Sequence, residues 1–359
     1  MSWVLAFLGF AVLIVLHEFG HFVVAKWVGM RVERFSLFFP PLIWRRKGRG
    51  ETEYAIGAIP LGGYVKISGM NPHEELPPEV AHRAYFRQPV WKRIAVILAG
   101  PVMNLLIAFA IFGGLFLSNG VPGEGARVEA VQPDQPATGV LRPGDRILSV
   151  DGVSGTATRI SEQIGTHRCK GTPKPGCKAV KPAVLVIERG DRTFRVSLHP
   201  EYDAEFKRTR LGFSQSQVRE DVGAGGAAAA SAEQMWELTT RTVTTVAQIF
   251  DPQKREEISG VVGSYEVTRQ AVQINVDFAL FVLGVISLSL AVINLFPFLP
   301  LDGGHIFWAL AEKVRGRAIP FSVMERAGFV GFALVLFLFF IGLSNDLDRL
   351  AGEGFDIAR

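Results

Sequence analysis

LIVLHEFGHFVVAKW, Leu13 to Trp27, places His17, Glu18 and His21 inside an otherwise apolar run. A charged residue near the centre of a membrane span costs about 2.5–3.5 kcal/mol on insertion scales, so such groups need a partner or a purpose. The spacing predicts a helix with His17 and His21 at i and i+4, on one face. Two imidazoles so placed can grip one tetrahedral Zn²⁺. Glu18, one residue on, can reach a water on that metal and act as general base and then proton donor. H-E-x-x-H alone also arises by chance in soluble helices; the apolar surroundings are what favour a metal here.

The chain has 359 residues, 48% of them hydrophobic, with a net charge of +4. Its mean hydropathy is +0.25 and its pI about 9.1. The basic residues flank apolar blocks, the pattern of a membrane protein, and no nucleic-acid partner is implied. Four segments approach the length that crosses a bilayer, about 20 apolar residues. They run from Trp3 to Val28, Ile94 to Leu117, Val276 to Leu299 and Ala327 to Leu343. The first lacks a basic leader and an A-x-A site, so it is expected to be retained rather than cleaved as a signal peptide.

Arg45, Arg46, Lys47 and Arg49 lie between the first two spans, and Lys313, Arg315 and Arg317 between the last two. The tail carries Asp346, Asp348, Glu353 and Asp356. The positive-inside rule then predicts both basic loops in the cytoplasm, with both termini and the segment between spans two and three outside.

Two imidazoles do not complete a catalytic zinc site, which ordinarily has three protein ligands and a water. INLFPFLPLDGGHIFWAL, residues 293–310, ends the third apolar run with prolines and glycines. Irregular backbone at membrane depth is tolerated where it is buried in protein or lines a watery cavity. Asp302 is the preferred third ligand, because a carboxylate also offsets the metal's charge; His305 is the rival.

YAIGAIPLGGYVKISGM, residues 54–70, alternates in β fashion around Pro60-Leu61-Gly62-Gly63. It predicts a membrane-associated β-hairpin whose free edge, about Ile56, Gly57 and Ala58, can pair with an unwound substrate; a plain structural hairpin is the alternative. Asn104, in AGPVMNLLIA (99–108), either hydrogen-bonds across helices as a packing residue or contacts substrate, and Gly100 lets helices approach closely.

Between spans two and three, ARVEAVQPDQPATGVLRPGDRILSVDGV (126–153) holds short alternating strands, a Pro-Gly-Asp turn and an Asp-Gly turn. This module resembles a PDZ domain over residues 120–200. Cys169 and Cys177 sit inside it; an oxidising compartment lets them pair, and two unpaired thiols are the alternative. His73, His82, His167 and His199 read as ordinary loop or strand histidines. Residues 201–275 read as a linker and an amphipathic helical segment, leaving 1–119 and 276–359 as the two membrane parts. The fold class expected is an α-helical polytopic membrane protein with an inserted extracytoplasmic PDZ (α+β) domain.

H-E-x-x-H in the first span and N-x-x-P-x-x-P-x-D-G-G at the third, with residues 54–70, 99–108 and SGVVGSYEVT (259–268), together resemble the site-2 protease family, in its bacterial regulator-of-sigma-factor branch. His17 to His21 lie in the second half of the first span, which puts the metal in the cytoplasmic half of the membrane, and the resemblance implies a zinc-dependent endopeptidase in the bacterial inner membrane. It implies His17, His21 and Asp302 as ligands, Glu18 as catalytic base, and Asn294 as a residue that holds the substrate or polarises its carbonyl. The substrates implied are single-span proteins such as anti-sigma factors, already trimmed by an upstream protease, and also remnant signal peptides. Relatives carry two tandem PDZ modules, and this chain shows one. The PDZ module either binds a newly exposed carboxyl terminus or filters substrates by size. The competing function is a non-catalytic membrane metal-binding protein or a metal transporter, against which Glu18 discriminates.

Overall fold

The structure is a computed structural model, and it describes residues 1–71, 74–248, 251 and 260–352. His73, Ser259, Glu353 and Asp356 lie outside the described residues. By contacts the chain divides into a unit of residues 1–115 with 228–359 and an inserted unit of residues 116–227.

Helix α1 (Ser2–Trp27) leads into strands β1 (Val32–Lys47) and β2 (Glu53–Ile67), the short helix α2 (Pro78–Ala81) and helix α3 (Val90–Asn119). The inserted unit follows: β3 (Val121–Val131), β4 (Arg146–Val150), β5 (Val153–Ser154), α4 (Ala157–Gly165), β6 (Ala183–Arg189), β7 (Arg192–Leu198), β8 (Glu201–Asp203), β9 (Arg208–Arg210) and β10 (Phe213–Glu220). The chain then forms α5 (Ala224–Ala247), α6 (Val261–Ile274), α7 (Val276–Asn294), α8 (Asp302–Arg315) and α9 (Phe321–Ala351).

Among these, α1, α3, α7 and α9 are long and apolar enough to cross a membrane. They keep large apolar side chains exposed, such as Leu5, Leu106 and Phe329, as helices facing lipid do. The third span is shorter than Val276–Leu299. Pro297 and Pro300 have no backbone N–H to continue the ladder, so α7 stops at Asn294 and the chain turns before α8. The fourth span extends beyond Ala327–Leu343 at both ends.

The β1–β2 hairpin is folded over on itself. Phe35, Ser36 and Leu37 pair with Val65, Tyr64 and Gly63 on one side and with Tyr54, Ala55 and Ile56 on the other. Tyr54, Ala55 and Ile56 pair again with Arg46, Arg45 and Trp44. The two long strands thus make a four-ribbon sheet whose outer edges are Leu42–Lys47 and Gly63–Ile67. Ile56 has β-partners on both sides and Gly57 pairs with Leu42, so the expectation of a free edge is corrected at these two residues: a ladder that is already occupied cannot accept another strand.

Asp346, in α9, is buried and accepts from the amides of Gly260 (3.0 Å) and Gly263 (2.7 Å) at the start of α6. The first amides of a helix have no partner within it, and a carboxylate satisfies them and the local dipole together.

In the inserted unit, β10, β3, β4, β6 and β7 form an antiparallel sheet, with β5 paired to β4. Helix α4 buries Ala157, Ile160 and Ile164 into the core of that sheet, with Val128, Ile147, Val150, Leu185 and Ile187. This is the α+β PDZ arrangement expected. The boundary at Pro200 is corrected, because β10 pairs with β3 and carries the sheet to Glu220. Cys169 and Cys177 form a disulfide.

Asp145, from the Pro-Gly-Asp turn, fixes the sheet's start. Arg189 clasps both its carboxylate oxygens at 2.6 Å, and the Arg142 amide adds a bond of 2.8 Å. Burial opposes the charge, but the Arg189 guanidinium and the Arg142 amide prevail and hold the carboxyl below its ordinary range. A depressed carboxyl stabilises the fold fully above its unfolded value, about pH 4, and that stability is lost as pH falls through the folded value. Asp145→Asn is therefore expected to lower the urea midpoint of the inserted unit at pH 7, and to flatten its fall in acid. Pulse proteolysis of the full chain across pH 2–7, using cleavage sites in this unit, checks both.

Candidate metal centre

The histidines lie on the face of α1 that meets α3. His21 Nδ1 donates to the Val96 carbonyl at 2.8 Å, and His17 Nδ1 stands 3.2 Å from the Asn104 side-chain amide. Val96, Gly100 and Asn104 recur every four residues, one ridge on α3, against the i, i+4 pair on α1. The helices run in opposite directions, so His21 meets Val96 and His17 meets Asn104.

Gly100 lies between those contacts. A Cβ there would come within 2.2 Å of His21 Nε2 and 2.9 Å of His17 Cε1. The glycine read from the sequence as a helix-packing residue is thus also the space in which the imidazoles sit. The Asn104 backbone is pinned in turn, its carbonyl accepting from Ser287 of α7 at 2.9 Å.

Asp302 is the first residue of α8, where the helix dipole favours a carboxylate. Gly303, next to it, cannot carry a side chain: a Cβ would fall 2.2 Å from the Leu295 carbonyl of the returning loop. Arg93, at the start of α3, pairs with Glu312 of α8 at 2.7 Å and is itself buried. A buried pair costs desolvation, yet removing one partner costs more, so it fixes which way α8 leans.

The outcome is a triangle of ligand atoms. His17 Nε2 lies 3.3 Å from His21 Nε2, and Asp302 Oδ2 lies 3.3 Å from the first and 3.4 Å from the second. An ion with ligands at 2.0–2.1 Å in tetrahedral array has ligand–ligand edges of about 3.3–3.4 Å. The three edges fit that geometry. Asp302 Oδ2 is also buried and without a hydrogen-bond partner among the described residues, a costly state that a cation at the centre of the triangle relieves. Among the described residues this trio is the group able to hold a metal, and His305, the rival third ligand, is not part of it.

Glu18 borders the trio. The Val65 backbone amide bonds its carboxylate, and His21 and Asp302 are near enough to interact with its charge. A Cβ at Gly63 would lie 3.1 Å from Glu18 Cγ, so the Gly63–Val65 edge of the folded sheet runs beside this residue. Asn294 is the last residue of α7 and half-buried, and no hydrogen bond joins its side chain to the trio among the described residues. Ile56, Gly57 and Ala58 lie around the sheet's inner turn. Asn104 makes the contact across helices that its place in the span suggests: its side chain meets the His17 ring. Val96 is the residue that sequence reasoning missed, and its signal was the four-residue spacing to Gly100 and Asn104.

Known proteins resemble this chain along most of its length. The model of Peptidase family M50 matches residues 5–338. A protein of Nostoc sp. (strain PCC 7120 / SAG 25.82 / UTEX 2576), named as a zinc metalloprotease, is 31% identical and covers 94% of this chain and 93% of its own. The regulator of sigma-E protease RseP of Salmonella typhimurium (strain 14028s / SGSC 2262) is 26% identical, covering 94% of this chain and 96% of its own. That alignment runs over 437 positions, more than the 359 residues here, so the relative carries residues that this chain lacks. A solved PDZ domain of an SdrC-like protein from Listeria innocua is 20% identical, covering 26% of this chain and 97% of that structure with a TM-score of 0.22. The chain belongs to Peptidase family M50, the site-2 protease family of zinc-dependent membrane metallopeptidases.

Proposed function

We propose that His17, His21 and Asp302 hold the zinc ion of this intramembrane endopeptidase, and that Glu18 is its general base. The observation that carries the reading is the triangle of three ligand atoms, with edges of 3.3–3.4 Å around a buried, unbonded carboxylate oxygen. When bound, zinc polarises the scissile carbonyl and acidifies a coordinated water.

The rest is done by the chain. Glu18 takes a proton from the attacking water and delivers it to the leaving amine nitrogen as the C–N bond breaks. The Val65 amide holds the Glu18 carboxylate in place for that transfer. A substrate helix keeps its carbonyls bonded and must unwind before its backbone can reach these groups. The sheet edge nearest Glu18, at Gly63–Val65, is the place for the opened backbone. Ile56, Gly57 and Ala58 support that edge from the interior of the sheet. Asn294, at the end of α7, is assigned the holding of substrate.

The substrates are single-span membrane proteins of anti-sigma-factor type, trimmed beforehand by an upstream protease. Similarity to the regulator of sigma-E protease supports this class. The protein lies in the bacterial inner membrane, in contact with its lipid, with the PDZ domain and both termini outside and the metal in the cytoplasmic half. The basic loops before α3 and after α8 support that orientation. A metal carrier has no use for Glu18 as base, and the family match gives that alternative no support.

Reconstituted with a single-span substrate, Glu18→Gln is expected to keep its zinc and lose at least about 10²-fold in turnover, the scale of general acid–base catalysis. Asp302→Asn should lose turnover and bind zinc more weakly. Equal turnover by both variants and the wild type would sink the proposal. Gly100→Ala puts a methyl where the His21 ring stands, and is expected to abolish zinc retention in the purified protein, read by metal analysis.

A further inference from the structure

Asn104 is wholly buried, and its amide stands 3.2 Å from His17 Nδ1. Two orientations of that amide occupy the same space, and they differ in which end meets the ring. With the NH₂ group towards the ring, Nδ1 must accept, and the proton of a neutral imidazole sits on Nε2. That is the atom 3.3 Å from both His21 Nε2 and Asp302 Oδ2, and it would then have no lone pair for an ion. With the amide turned by half a rotation, the side-chain carbonyl accepts from Nδ1–H, and Nε2 offers its lone pair to the centre of the triangle.

Two observations favour the turned orientation. No donor reaches Asn104 Oδ1 where it lies away from the ring, so nothing on that side holds the first orientation. His21 is already in the matching state, because the Val96 carbonyl can only accept and its bond of 2.8 Å puts the His21 proton on Nδ1. We infer that Asn104 is a positioning residue of the metal centre: its side-chain carbonyl fixes the His17 tautomer and ring plane, as the Val96 carbonyl does for His21. The inference rests on the ligand set proposed above. It gives the α3 ridge a chemical task at both ends, with Gly100 as the gap between. Metal-bound histidines ordinarily hand their second N–H to an acceptor, and losing that acceptor costs about 10–100-fold in metal affinity or activity.

The test is zinc affinity, by chelator competition, of the full-length protein in lipid nanodiscs. Asn104→Leu keeps the volume and removes the acceptor; Asn104→Asp keeps an acceptor; His17→Ala removes the ligand. The leucine variant is expected to bind zinc about 10–100-fold more weakly. Its zinc-free thermal transition should match the wild type, while the rise in that transition on adding zinc shrinks. The aspartate variant should retain zinc binding. If the leucine variant does not fold, Asn104→Ala is read in the same way. Wild-type affinity in the leucine or alanine variant, with affinity lost in His17→Ala, overturns the role of Asn104 alone, as does equal weakening by leucine and aspartate. Undiminished affinity in His17→Ala overturns the ligand set and this inference with it.

Discussion

The site depends on how closely α1 can lie against α3. The two histidines of α1 and the Val96–Gly100–Asn104 ridge of α3 interlock with no side chain between them. A single methyl at Gly100 would overlap the His21 ring at 2.2 Å. In lipid no hydrophobic effect drives one helix onto another; close backbone approach and buried polar contacts do that work. Here the same contacts that join the helices also aim the imidazoles. The third ligand arrives on another helix, and the Arg93–Glu312 pair ties that helix to the foot of α3. Chain ends that are remote in sequence therefore meet because each is fastened to the same span.

Much of this was legible in the residues alone, for reasons that differ by element. His17, Glu18 and His21 show themselves because three ionisable groups in an apolar run are too costly to keep there without a metal or a partner. The four spans follow from length and hydropathy, although the third stops at Asn294, short of Leu299, because Pro297 and Pro300 lack the donors a helix needs. The PDZ turn at Asp145 is written in adjacent residues. What failed depends on partners distant in sequence. Strand β10 belongs to the PDZ sheet by pairing with β3, and nothing between Pro200 and Glu220 announces it. The edges of the folded hairpin depend on which ribbon lies beside which, so alternation alone pointed to Ile56, which has neighbours on both sides. Asn104 could be placed on α3, but its partner depended on the rotation of one helix against another.

Asp346 shows the same economy among the other neighbours of α1. Helix α6 begins with amides that have no partner within the helix, and a buried carboxylate from α9 supplies the acceptor. The last span is thereby fastened to a helix that also packs on the first, where Tyr265 donates to the Trp3 carbonyl at 2.9 Å.

The pairing of two carboxylates, Asp302 and Glu18, with two imidazoles has a consequence for how the protein matures. On the proposed ligand set, a divalent ion and two carboxylates sum to zero formal charge, and an electroneutral centre is the cheapest kind to sink below the headgroups. Without the ion the Asp302 carboxylate still faces two imidazole rings at 3.3 and 3.4 Å, so a ring that takes up a proton replaces part of the missing positive charge. Uptake of the metal then exchanges that proton for the ion, because a ligating imidazole must be neutral.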